Sequence, residues 1–148
     1  VSEHRLGRFL GIDYGTKRIG LAISDEMGWT ARPLETLDAS SWKRVLARIR
    51  DVVASEAVEG VVLGSPASLK GHPGTLSGDV VRFKAHLEAE IPVPVVLWDE
   101  RLSTHAAERI LRDLGRKGEG MTDRAAAAWI LQGYLDRTAR DREQGDRT

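Results

Sequence analysis

Two short apolar runs separated by a tight turn constrain this chain most. Phe9-Leu10-Gly11-Ile12 ends in Asp13, and Ile19-Gly20-Leu21-Ala22-Ile23 begins again just after Tyr14-Gly15-Thr16-Lys17. Runs of this length flanking a glycine turn predict a β-hairpin. Residues 29–37 offer a third strand, and Pro33 inside it suits an edge position or a bulge. Ser40 or Ser41 can cap a helix running to about Glu56, whose Val45, Leu46, Ile49, Val52 and Val53 recur at helical spacing.

The second half alternates. Val61-Val62-Leu63-Gly64 is a short buried strand, and the Gly-, Pro- and Ser-rich stretch 65–78 is a loop. A helix with Val80, Val81, Phe83, Ala85 and Leu87 as candidate buried positions stops before Pro92, and Val93 to Trp98 is the next strand. Ser103 or Thr104 starts a helix through Ala106, Ala107, Ile110, Leu111 and Leu114, closed by Gly115. A last helix starts near Thr122 and carries Ala125 to Leu135; beyond Arg137 the chain is charged, lacks apolar anchors and is expected to fray. A hairpin followed by strand–helix alternation predicts an α/β fold, with a mixed sheet covered by helices.

Bulk properties remove several function classes. The 148 residues suit one domain, and 41% hydrophobic with 30% charged residues is a globular composition. No apolar run approaches the roughly 20 residues of a membrane span, and no secretory leader is evident, so a cytoplasmic setting is expected. The absence of cysteine excludes disulfides, cysteine-ligated zinc and thiol catalysis. Lys and Arg balance Asp and Glu at 22 each, so any nucleic-acid affinity must come from local patches.

Three acids stand out. Asp13 lies between two glycines at a strand end, where a carboxylate can hold a divalent cation while a phosphate approaches the backbone; a turn aspartate is the plainer alternative. Asp99 and Glu100 leave the Val93–Trp98 strand together, and alternation points only one of them toward Asp13; a surface ion pair with Arg101 competes. Asp123 opens the final helix, where capping alone can explain it. Taken together, three separated acids at the ends of core elements match what metal-dependent phosphodiester cleavage requires. Such a site takes two Mg²⁺ or Mn²⁺ ions roughly 4 Å apart.

Lys17, Arg18, Lys70 and Arg101 are candidate contacts to nucleic acid, with His72 in the same loop as Lys70. Arg109, Arg112, Arg116 and Lys117 add basic charge nearby, although for most of these cations a solvated surface charge is the simpler reading. Trp29, Trp42, Trp98 and Trp129 can stack bases, with Trp98 and Trp129 better suited to the core.

With those residues in hand, the chain resembles the YqgF/RuvX family of Holliday-junction resolvases and pre-16S ribosomal RNA nucleases. The matching segments are Gly11-Ile12-Asp13-Tyr14-Gly15-Thr16-Lys17-Arg18-Ile19-Gly20-Leu21-Ala22, Trp98-Asp99-Glu100-Arg101-Leu102-Ser103-Thr104, and Asp123-Arg124-Ala125-Ala126-Ala127-Ala128-Trp129-Ile130-Leu131-Gln132. Gly64-Ser65-Pro66 and Leu69-Lys70-Gly71 depart from the family pattern. The resemblance, over roughly residues 8–137, implies a ribonuclease H-like fold, a five-stranded mixed sheet with helices on both sides; one domain is expected over residues 1–137, with 138–148 a charged, flexible tail. It implies Asp13, Glu100 and Asp123 as catalytic and metal-binding acids, with Asp99 the alternative to Glu100. It also implies branched DNA or precursor ribosomal RNA as substrate, and a resolvase of this kind would act as a homodimer. Two rivals remain: an actin-like or sugar-kinase-like ATP-binding domain, which shares a Gly-x-Asp-x-Gly-Thr hairpin, and a non-catalytic RNA-binding ribosome-assembly factor.

Overall fold

A computed structural model describes residues 7–65, 78–99 and 122–146. The helix expected from residue 103 to 114, the loop 66–77 with Lys70 and His72, and Glu100 and Arg101 lie outside the described residues. In chain order the elements are β1 (Arg8–Asp13), β2 (Arg18–Ser24), β3 (Ala31–Asp38), α1 (Trp42–Ser55), β4 (Val58–Ser65), α2 (Gly78–Glu90), β5 (Val95–Asp99) and α3 (Asp123–Asp146). The strands form one five-stranded sheet in the order β3-β2-β1-β4-β5.

β1 pairs antiparallel with β2, as the hairpin reading required, and β2 antiparallel with β3. β4 and β5 join parallel on the other side of β1. Pro33 lies where expected, on an edge strand beside a register shift: Leu21 faces Glu35, whereas Ala22 faces Pro33. Proline cannot donate to a ladder, and the bulge with its edge position removes the need.

Alternation divides the strand side chains between two cores. Leu10, Ile12, Leu21 and Leu63 join one face with α1 and α2, where Val45, Ile49, Phe83 and Leu87 are buried. Phe9, Ala22 and Val62 join the other face with Ala127, Ala128, Ile130 and Leu131 of α3. The Ser41 hydroxyl accepts the Arg44 N–H at 3.3 Å and caps α1. Helices therefore cover both faces of a mixed sheet, as predicted.

Two local expectations change. Val81 and Ala85 of α2 are exposed, because Val80, Phe83 and Leu87 define one inward stripe, from which Val81 lies about 100° away and Ala85 on the opposite side of the helix. The last helix does not fray at Arg137 but runs on to Asp146. Leu135 is the last buried residue among the described side chains, and the sequence beyond it is rich in good helix formers such as Arg, Ala, Glu and Gln. No helix among the described residues is long and apolar enough to cross a membrane.

Candidate active site

Asp13 is the last residue of β1, in register with Gly20 on β2 and with Gly64 on β4. Its face follows from Gly11 two residues earlier, where a Cβ would come within 2.7 Å of Leu131 Cβ on α3. On the same face a Cβ at Gly64 would meet Ile130 Cδ1 at 2.5 Å, and one at Gly20 would overlap the Asp123 carbonyl oxygen. Three glycines thus let α3 lie almost directly on the strands. Its first turn is pressed against the ladder position opposite Asp13, and this close approach brings Asp123 beside Asp13.

Capping does not account for Asp123. Thr122 does that work: its hydroxyl accepts the Ala125 N–H at 3.1 Å. The Asp123 carboxylate instead accepts from Arg18 Nε at 2.8 Å, across 105 residues of sequence. The pair is 65% and 31% exposed at its two side chains, so it adds at most about 1 kcal/mol to stability. Burial, and secondarily the charge of Asp123, push the Asp13 carboxyl from 3.8 up to about 7. Desolvation together with a second acid makes Asp13 a candidate functional group.

The opposite side of the turn is an anchor. Tyr14 turns away from Asp13 into the other core, with ring centroids 5.1 Å from Phe83 and 6.2 Å from Trp42. Burial, followed by the charge of Asp79, pushes its hydroxyl pKa up. Packing of Tyr14 fixes the strand end on which Asp13 stands, a role the sequence reading did not give it. Nor does the sequence reading assign Gly20, a member of the second apolar run, to the contact with α3. A glycine inside an apolar strand, signalling a close backbone approach, was the available clue.

Of the other candidates, Lys17 and Arg18 are exposed at the end of the hairpin turn that follows Asp13, and Arg18 reaches Asp123. Glu100, Lys70 and Arg101 lie outside the described residues. At β5, Leu97 packs with the α1/α2 core and Trp98 with the α3 core, so Asp99 has the parity of Leu97 and falls on the face opposite Asp13. Asp13 and Asp123 are therefore the two predicted acids brought together, and no group of three metal-ligating side chains occurs among the described residues. Two carboxylates near enough for the charge of one to act on the other offer the oxygen donors that suit a hard divalent cation.

The tryptophans sort mostly toward structure. Trp98 packs edge-on against Tyr134 at 5.4 Å, and Trp42 sits edge-on against Phe83 at 5.3 Å and His86 at 5.4 Å. Trp129 is partly buried, with its Nε1 enclosed and unbonded among the described residues. Trp29 is 51% exposed, but it follows β2 at the end of the sheet away from Asp13.

Comparison with known proteins agrees with this geometry. The family model RuvX, described as Holliday junction resolvase, matches residues 7–137. A protein of Syntrophus aciditrophicus (strain SB) named "Putative pre-16S rRNA nuclease" is 44% identical over 142 residues, covering 94% of this chain and 95% of that protein. One of Bacillus subtilis (strain 168) with the same name is 43% identical over 134 residues, covering 87% and 97%. Among solved structures, Thermus thermophilus RuvC superposes with a TM-score of 0.62 at 19% identity, covering 90% of this chain and 96% of that one. The fowlpox virus resolvase with its Holliday junction DNA gives 0.54 at 17%, covering 88% and 98%. These likenesses carry the fold, and the family match selects a nuclease over an ATP-binding domain. The chain belongs to the RuvX family of Holliday junction resolvases and has the ribonuclease H-like fold of that class of nucleases.

Proposed function

We propose that this chain is a divalent-metal-dependent endonuclease that hydrolyses nucleic-acid phosphodiester bonds, with Asp13, Glu100 and Asp123 as the metal-holding acids. The observation that supports this best is the close approach of the first turn of α3 to Gly20, opposite Asp13, which brings Asp123 to an Asp13 carboxyl raised to about 7. The charge of Asp123 acts on Asp13, and the two acids would hold a divalent cation whose charge offsets their repulsion. Bound Mg²⁺ or Mn²⁺, as a pair of ions, supplies the Lewis acidity for attack of water on phosphorus and departure of the leaving oxygen. The protein's own part is positional. Asp13 is held rigid by β1 and by the packing of Tyr14, and Asp123 by the Thr122-capped turn of α3. Lys17 and Arg18 at the end of the hairpin turn, with Lys70 and Arg101, are assigned to the substrate's phosphates.

Alternation along β5 gives Asp99 the parity of Leu97, on the face away from Asp13, and this favours Glu100 as the third acid. For the substrate we favour precursor 16S ribosomal RNA, processed in the cytoplasm. Relatives above 40% identity bear that name, whereas the junction-resolving neighbours share less than 20%. Four-way DNA junctions are the alternative, and resolving them would call for a two-fold dimer.

The test is cleavage of precursor rRNA and a four-way junction side by side, in Mg²⁺, in Mn²⁺ and in EDTA, with Asp13→Asn as control. Product from RNA that needs metal and Asp13 supports the proposal. Product from junctions alone moves the substrate to DNA. Cleavage by Asp13→Asn at the parent rate removes the assignment, and no cleavage of either substrate in any metal favours a non-catalytic RNA-binding factor.

A further inference from the structure

The ion pair between Arg18 and Asp123 joins a cation assigned to substrate with an acid assigned to metal. Resting on the metal-nuclease reading above, we infer that Arg18 is a placeholder for the metal. Its guanidinium holds Asp123 while the divalent ion is absent, and it is released to the substrate's phosphate backbone when the ion takes Asp123 over.

Three features carry this. The contact is direct, Nε to Oδ2 at 2.8 Å, so a metal bound to Asp123 competes with Arg18 for the same carboxylate. The contact is also cheap to break, because the Arg18 side chain is 65% exposed and exposed ion pairs are weak. Finally, Arg18 stands at the end of the hairpin turn with Thr16 and Lys17, also exposed, where a phosphate backbone approaching Asp13 would pass. Among the described residues the guanidinium has one partner, the Asp123 carboxylate at its Nε. Coupling follows from one side chain having two exclusive partners. Metal frees the arginine that binds substrate, and substrate bound to that arginine frees the acid that binds metal.

A purely structural Arg18, one that orients Asp123 for the ion, gives the opposite sign and separates the two accounts. Mn²⁺ affinity is measured by calorimetry on the full chain, its Arg18→Gln and Arg18→Lys variants, and Asp13→Asn. Binding of a fluorescein-labelled precursor rRNA fragment is followed by anisotropy in EDTA and in Ca²⁺. Removing a competing surface cation should tighten Mn²⁺ binding by Arg18→Gln about two- to fivefold, with Arg18→Lys near the parent. The same variant should bind the RNA more weakly than the parent in Ca²⁺ and equally well in EDTA, where the parent's arginine is already occupied. Weaker or unchanged Mn²⁺ binding by Arg18→Gln, with binding still lost in Asp13→Asn, overturns the placeholder and leaves the metal site standing. Unchanged Mn²⁺ binding in Asp13→Asn overturns both.

Discussion

Asp13 and Gly20 face each other across the β1–β2 ladder, and the missing side chain at Gly20 lets the backbone of Asp123 rest on the strand. One acid is a strand terminus and the other a helix start. Their meeting depends on a residue with no chemistry of its own.

Gly20→Ala tests that dependence. Its methyl group would overlap the Asp123 carbonyl oxygen, a backbone atom that moves only if the first turn of α3 moves. Overpacking of this kind typically costs about 1–3 kcal/mol, and the displaced turn takes Asp123 with it. The expected outcome is a folded protein, less stable in urea, whose cleavage falls by more than the stability loss can explain. Full activity at parental stability would show that α3 is not held at this point.

The pH dependence of stability gives a second prediction, independent of any substrate. Between 3.8 and about 7 the folded chain keeps a proton on Asp13 that the unfolded chain releases. Stability therefore falls as pH rises through that window, and the deficit is complete above about 7. A gap of that size corresponds to about 4 kcal/mol. Asp13→Asn removes the ionisation at nearly constant shape. It should match the parent near pH 4 and be more stable at pH 8, while cleaving nothing. Urea unfolding at the two pH values checks this, and equal stabilities at pH 8 would mean that Asp13 is not under electrostatic stress. A residue whose removal improves the fold and destroys activity is there for function.

Much of this arrangement can be read from residues alone, and the limits have physical causes. The hairpin is legible because its alternation and turn chemistry are local, and Pro33 marks an edge because it lacks a donor. Asp123 is harder. Thr122 and Asp123 are adjacent and both can cap, and only the Thr122 hydroxyl on the Ala125 N–H shows which one is free for other work. Arg18 pairs with an acid 105 residues away, a distance at which local pattern carries no information. The end of α3 misleads for another reason. Hydrophobic periodicity stops at Leu135, but a helix of arginine, alanine and glutamate needs no apolar face to continue.

Gln132 separates stability from activity at the far end of α3's packed face. It is 4% exposed, accepts the Ala31 N–H at 2.8 Å, and donates to the Trp29 carbonyl and the Asp136 carboxylate at 2.9 Å each. Gln132→Leu fills the space and leaves the buried Ala31 N–H without its partner, at a cost of roughly 1–3 kcal/mol. Because these bonds lie at the β2–β3 turn and not at the Asp13 end, cleavage per folded molecule should stay at the parental rate. An equal loss of kcat and stability would mean that this anchor also positions the site.

The choice between the two acids after Trp98 is the sharpest prediction, because it follows from strand parity alone. Trp98 packs against the α3 core and Leu97 against the α1/α2 core, which assigns Asp99 to the face away from Asp13. Asp99 is also the last residue in register with β4, opposite Ser65, so its side is set by the ladder. If the site gathers on the α3 face, Asp99→Asn should lower cleavage only modestly and leave Mn²⁺ affinity unchanged. Glu100→Gln should lower cleavage by more than roughly a hundredfold, as loss of a direct ligand exceeds the usual cost of losing an outer partner. Parallel measurement of Mn²⁺ binding and cleavage in the two variants decides it. If Asp99→Asn is the one that loses metal, the strand must twist or bulge before its last residue, and the acidic cluster would have to be drawn with Asp99 in place of Glu100.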